Sequence, residues 1–121
     1  MYVRGIRGAI SVENNTSEEI LKATSQLLIE MVERNEIATE DITSVIFTVT
    51  NDLDVCFPAA AARKLGWTYV PLLCSMEIPV IGSPDKLVKV LMHVNTNKTQ
   101  DQIQHVYLKR AKILRPDLVK E

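Results

Sequence analysis

Little in this sequence is extreme, and each shortage removes a class of function. Neither charge is in excess: 14 Lys and Arg against 15 Asp and Glu leave a net charge of −1. Without a basic surplus there is no general affinity for polyanions, which argues against nucleic acid and against a membrane surface as partners. No apolar run approaches the length of a membrane span and the N-terminus has no signal-peptide core, so the expectation is a cytoplasmic protein. Two cysteines, Cys56 and Cys74, do not make a disulfide framework and read as reduced thiols. There is no C-x-x-C pair, no H-E-x-x-H and no P-loop, so neither metal nor nucleotide chemistry has support. The acidic stretch Asn51-Asp52-Leu53-Asp54 lacks the spacing and the glycine of a calcium loop and reads as a turn.

What is present is an ordinary soluble balance, 46% apolar and 24% charged over 121 residues. That is enough for one domain with a real core and too little for two. The most informative stretch is Lys86 to Val94. It alternates in the strand manner, with Val88, Val90, Met92 and Val94 on one face and Leu87, Lys89, Leu91 and His93 on the other. The first face is uniformly apolar and should lie against a helix layer. The second carries a lysine between two leucines, where a buried ammonium is costly unless an anion meets it. Three situations satisfy that lysine: an internal carboxylate such as Glu77, an anionic ligand, or an edge strand that leaves Lys89 in water.

The rest of the chain supplies the layers. Tyr2 to Ser11 reads as a strand in which Gly5 and Gly8 flank Ile6-Arg7. Glycine in a strand marks a bulge or a close approach by another backbone or a ligand. Arg7 is then either a solvated edge residue or a ligand contact. Thr16-Ser17-Glu18-Glu19 is a capping box that opens a helix to about Asn35, with Ile20, Ala23, Leu27, Leu28, Met31 and Val32 on its apolar stripe. Ser44 to Thr50 is a second, β-branched strand. Pro58 opens a short helix over Ala59 to Leu65, which Gly66 stops. Tyr69 to Met76 is a third extended run, pushed by Pro71 towards a sheet edge or a bulge. Glu77 follows it, ahead of the irregular loop Ile78 to Pro84. A carboxylate at a strand end beside the Cys74 thiol is a plausible polar site, although a small core cysteine is the simpler reading of Cys74. Thr99 caps a turn through Ile103, His105 to Ala111 fits strand and helix equally, and about 117–121 should fray.

Taken in order, Arg4-Gly5-Ile6-Arg7-Gly8-Ala9, Phe57-Pro58-Ala59 with Arg63, Gly66-Trp67, Tyr69-Val70-Pro71, Cys74 and Met76-Glu77 resemble one family. Gln100-Asp101-Gln102-Ile103, His105-Val106-Tyr107-Leu108 and Leu114-Arg115-Pro116-Asp117-Leu118 extend the likeness over nearly the whole chain. The family is the small monofunctional bacterial chorismate mutases of the AroH class. The resemblance implies an α+β fold: a mixed five-stranded, ferredoxin-like sheet with helices on one face. It further implies one domain over 1–121, three copies of which close into a pseudo-β/α-barrel homotrimer with an active site at each subunit interface.

The implied reaction is the Claisen-type rearrangement of chorismate to prephenate, on the route to phenylalanine and tyrosine, with no metal or cofactor. Such a site works by positioning and preorganised charge. Carried over, the likeness gives Arg7 to the enolpyruvyl carboxylate with the Tyr107 hydroxyl assisting, and Glu77 to the substrate hydroxyl with Cys74 beside it. Phe57, Ala59 and Arg63 come from the neighbouring subunit, and Leu114 and Arg115 close over the opening. Lys89 stands where the family pattern has an arginine that contacts both the carboxylate and the ether oxygen. A lysine keeps the charge and loses the planar fork. Ala60 stands where the family often has lysine at the pocket mouth, and Leu72 and Leu73 make the wall more apolar. Two other readings differ in class: a trimeric small-acid binder without turnover, for which the changes at Lys89 and Ala60 speak, and an imine deaminase of the YjgF type, whose signature segments are absent.

Overall fold

The computed structural model describes residues 1–115 of the chain, so the frayed tail expected at 117–121 lies outside the described residues. Alternation along the chain becomes a mixed sheet of five strands: β1 (Tyr2–Ser11), β2 (Ile42–Val49), β3 (Leu72–Met76), β4 (Leu87–Thr96) and β5 (Val106–Leu108). Their order across the sheet is β3-β2-β4-β1-β5. β4 runs antiparallel to both β1 and β2, while β5 adds parallel to β1 and β3 parallel to β2. The strand carrying Lys89 is therefore the centre of the sheet, and the edge placement, with Lys89 in water, is wrong. Strand order depends on which segments pair across the chain, and local alternation carries no information about that.

Two helices, α1 (Ser17–Arg34) and α2 (Ala59–Lys64), share one apolar core with one face of the sheet. α1 begins as its capping chemistry dictates: Thr16 Oγ1 accepts from the Glu19 N–H at 3.2 Å. The Glu19 carboxylate accepts from the Asn14 N–H at 3.2 Å and from the Thr16 hydroxyl at 3.5 Å. From α1, Ile20, Leu27, Leu28 and Met31 are buried against Val88, Val90, Met92 and Val94 of β4, the face that alternation marks as apolar. Gly8 owes its place to this packing. A Cβ there would lie 2.5 Å from Met31 Sδ and 3.1 Å from Leu27 Cδ1, so it is a helix, not a ligand, that approaches the strand closely. α2 ends at Leu65 and Gly66, whose φ of 87° suits a residue without a side chain.

The other sheet face is mostly open. β3 is an edge strand, and Pro71 just before it donates nothing, while its carbonyl accepts from Val45 N–H at 3.0 Å. At the opposite edge, the ambiguous stretch after His105 resolves into the three-residue β5 followed by a 3₁₀ helix, Lys109–Leu114. That helix folds over the open face, where Ala111 and Leu114 pack with Ala9, Leu87 and Tyr107 in a second, smaller apolar cluster.

Candidate active site

Paired residues of neighbouring strands point to the same face of a sheet, so the registers line up the open-face side chains in rows. Tyr107, Ala9, Lys89, Thr48 and Ser75 form one row across all five strands. The adjacent row holds Arg7, Leu91, Ile46 and Leu73. Strands lie about 4.8 Å apart, which puts Tyr107 and Lys89 on either side of Ala9 at roughly 10 Å, with only a methyl between them.

Lys89 meets Glu77. Its Nζ is 3.4 Å from Glu77 Oε1, with the two side chains 24% and 30% exposed. A pair this open is worth no more than about 1 kcal/mol. The internal carboxylate expected as one partner of Lys89 is in place. Glu77 is fixed in turn: its N–H donates to the Val49 carbonyl at 2.8 Å, prolonging the β2–β3 ladder by one step, and its Oε2 accepts from the Thr48 hydroxyl at 2.9 Å.

Towards the other edge, Tyr107 is 3% exposed, and among the described residues its hydroxyl has no hydrogen-bond partner. Buried polar groups are normally paired, so an orphaned hydroxyl calls for an explanation. Arg7, one step along β1, is exposed at its side chain while its backbone N–H donates to His105 Nδ1 at 2.9 Å. That bond places the imidazole proton on Nε2. Burial, then the positive charges of Arg7 and Arg115, hold the His105 pKa below its ordinary value. The segment leading to His105 is pinned by Asn35 at the end of α1, which accepts from Gln104 N–H at 2.7 Å and donates to its carbonyl at 2.9 Å. Leu114 lies on the cluster that covers Tyr107, and Arg115 follows it.

The expected place of Cys74 beside Glu77 needs correction. Cys74 is in register with the buried Phe47 and packs against the helix-side core, so its thiol points through the sheet, away from Lys89. It and Cys56 are both free thiols that line a cavity of about 400 Å³ with Phe57 and Met76. Alternation along Leu73, Ser75 and Glu77 already separates them from Cys74, a signal available in the sequence. The other candidates gather near the β3 edge: Phe57 and Arg63 are exposed, Ala60 half-buried and Ala59 buried. Leu72 is half-buried and Leu73 exposed. One chain leaves this group and the Arg7–Tyr107 group at opposite edges of its sheet. Thr48 and His105 are polar contacts of the site to which sequence reasoning gave no role. The signal for Thr48 was its parity with Ser44 and Ile46 on β2; for His105, none was local.

One face thus offers two separated cations, a carboxylate held by two neighbours and a hydroxyl in want of a partner. No group of three or more His, Cys, Asp or Glu that could hold a metal ion occurs among the described residues. Fixed charges and hydrogen-bonding groups of this kind are suited to a small anionic molecule. The chain belongs to the chorismate mutase type I family, whose model matches residues 3–118. It is 49% identical over 119 residues to the chorismate mutase AroH of Bacillus subtilis, covering 98% of this chain and 94% of that protein. It is 53% identical over 117 residues to the chorismate mutase AroH of Thermus thermophilus, covering 96% of each. Among solved structures, the chorismate mutase from Clostridium thermocellum superposes with a TM-score of 0.90 at 53% identity, over 91% of this chain and 98% of that one.

Proposed function

We propose that this chain is a chorismate mutase, an isomerase that converts chorismate to prephenate in aromatic amino acid biosynthesis. The observation that carries the reading is the row Tyr107–Ala9–Lys89 with Arg7 beside it. On this face the unpartnered Tyr107 hydroxyl is buried beside Ala9 under Ala111 and Leu114, with the cations Arg7 and Lys89 to either side. A substrate with two carboxylates, an ether oxygen that gains charge and a hydroxyl finds on this face two cations, Arg7 and Lys89, one hydroxyl donor, Tyr107, and one acceptor, Glu77.

In this reading Arg7 and the Tyr107 hydroxyl hold the enolpyruvyl carboxylate. Lys89 lies where the ether oxygen gains negative charge as the C–O bond breaks, and Glu77 accepts from the substrate hydroxyl. The protein's contribution is to select a chair-like conformer and to oppose developing charge with an ammonium already in place. No proton moves and no covalent intermediate forms, so the Cys74 thiol has no task.

Phe57, Ala59 and Arg63 enter from a neighbouring subunit, Ala60 lies at the pocket mouth with Leu72 and Leu73 in its wall, and Leu114 and Arg115 close the opening. Supporting this, Phe57, Leu73 and Ile78 are 74%, 61% and 74% exposed around the β3 edge, an apolar surface that an isolated chain has reason to cover. The same reading makes the chain a single domain, assembled as a homotrimer and working in the cytoplasm. No helix among the described residues is long and apolar enough to cross a membrane.

The test is to add purified protein to chorismate, follow the loss of its diene absorbance and identify the product, with the assembly mass measured alongside. Prephenate formed at a rate proportional to enzyme, by a particle of three chains, is the expected result. Chorismate bound without turnover would make the chain a small-acid binder, the outcome to which the Lys89 departure points. Neither binding nor turnover would refute both readings.

A further inference from the structure

A lysine at the centre of an open sheet face raises a question that the family pattern does not answer: what aims it. An arginine carries a rigid planar fork that orients itself on a carboxylate, whereas a lysine is a compact charge on a four-carbon stem with free rotors. Across the ladders the flanking residues of Lys89 are Ala9 on β1 and Thr48 on β2. Ala9 gives the stem only a methyl to lean on. The contact that fixes the ammonium is Glu77, at 3.4 Å. That is looser than the roughly 2.7–2.9 Å of a charge-assisted hydrogen bond, so the pair does not lock itself.

Glu77 in turn has three torsions and a carboxylate partly in water. Its main chain is set by the Val49 carbonyl, but its side chain is set by one neutral donor, the Thr48 hydroxyl on Oε2. With Oε2 so engaged, Oε1 is left facing Lys89. Take the hydroxyl away and the carboxylate is free to turn towards solvent and draw the ammonium with it.

We propose that Thr48 is a positioning residue for the reaction: its hydroxyl holds Glu77, and Glu77 holds Lys89 in its place in the row beside Ala9. This rests on the mutase reading for the consequence in turnover, and on the geometry alone for the order of Lys89. The relay supplies from two neighbouring strands the orientation that a lysine lacks by itself. It also assigns Glu77 a second duty, besides receiving a substrate hydroxyl.

The experiment compares Thr48→Val, Thr48→Ala and Thr48→Ser, each with Lys89 and with Lys89→Arg. Steady-state turnover of chorismate is read with 13Cε relaxation of Lys89. Thr48→Val is close to isosteric on a half-buried position, and Thr48→Ala serves if valine disturbs the fold. Both should lower kcat about tenfold, the scale of one hydrogen bond to a charged group, with a smaller change in KM. Thr48→Ser should stay within about twofold of wild type because the hydroxyl is what matters. With Lys89→Arg the loss from Thr48→Val should shrink to under about threefold, since the fork orients itself.

In the relaxation measurement Lys89 Cε should be restricted relative to an exposed lysine such as Lys22 in the wild type, and as free as Lys22 in Thr48→Val. Serine as damaging as valine, or a Lys89 Cε equally mobile with and without the hydroxyl, overturns the proposal. If the wild type turns over no chorismate, the mutase reading falls, and the relaxation arm still decides whether Thr48 orders Lys89.

Discussion

Tyr107→Phe separates what the folded chain needs from what its ligand needs, because the two effects have opposite signs. The ring is 3% exposed and belongs to a cluster of Ala9, Leu87, Ala111 and Leu114, none of which offers a side-chain hydrogen bond. The hydroxyl is without a partner among the described residues. A buried polar group left unpaired costs about 1–3 kcal/mol, and the apolar lining argues for the middle of that range, about 2 kcal/mol. Phenylalanine keeps the ring and its packing and removes the orphan, so the ligand-free protein should gain about 1–2 kcal/mol in stability. In a domain of this size that raises Tm by about 4 °C or more. In the proposed reading the same hydroxyl pairs with a carboxylate of the bound substrate, a bond worth about 1.5–3 kcal/mol. The variant should accordingly bind chorismate at least about tenfold more weakly.

Urea denaturation at one fixed protein concentration, which keeps any assembly equilibrium constant, gives the first number, and chorismate kinetics give the second. A Phe variant that is less stable than the wild type and has an unchanged KM would refute the reasoning on both counts.

Gly8→Ala should destabilise by about 1–3 kcal/mol, because the new methyl meets Met31 Sδ at 2.5 Å where Met31 has no solvent to retreat into. Equilibrium denaturation measures it, and an unchanged midpoint would mean that α1 shifts freely. Lys89→Arg should raise kcat/KM, by at most about a hundredfold, the scale of one preorganised donor; a fall would mean that the pocket is shaped to lysine. His105 should make stability acid-sensitive. Its folded pKa is lowered, so the unfolded chain takes up the proton first. The stabilising contribution is complete above the unfolded value near 6.5 and is lost as pH drops through the folded one. His105→Asn keeps an acceptor for the Arg7 N–H and cannot titrate. Denaturation at about pH 7.5 and about pH 5.5 should therefore show a smaller acid loss in this variant than in wild type.

How much of this was legible beforehand follows from which interactions are local. The alternation Val88, Val90, Met92, Val94 reports a buried face wherever the strand is placed, and it is buried. Thr16 and Glu19 mark the start of α1 because capping is settled within one turn. The central position of β4 was not legible, since it follows from pairing with β1 and β2, segments some eighty and forty residues away. The same holds for β5, three residues that become a strand only by joining β1 in parallel.

Gly8 showed that something approaches closely but not that it is Met31. Cys74 is different in kind: the period of two along β3 already put its thiol on the side opposite Glu77, in keeping with a small core cysteine, and only the resemblance set it beside the substrate hydroxyl. The Glu77–Lys89 pair was one of three options for the lysine, and choosing among them required knowing that Thr48 lies between them.

The account stands on Arg7 and Lys89 as the two cations that a dianionic substrate meets. The measurement that tests this most directly is turnover of chorismate by the wild type, Arg7→Ala and Lys89→Ala side by side, with far-UV circular dichroism to confirm the fold of each. Neither side chain belongs to the apolar core, so both variants should fold normally. Each should lose at least about a hundredfold in kcat/KM against a wild type that makes prephenate. Near-wild-type turnover in both folded variants would contradict the account.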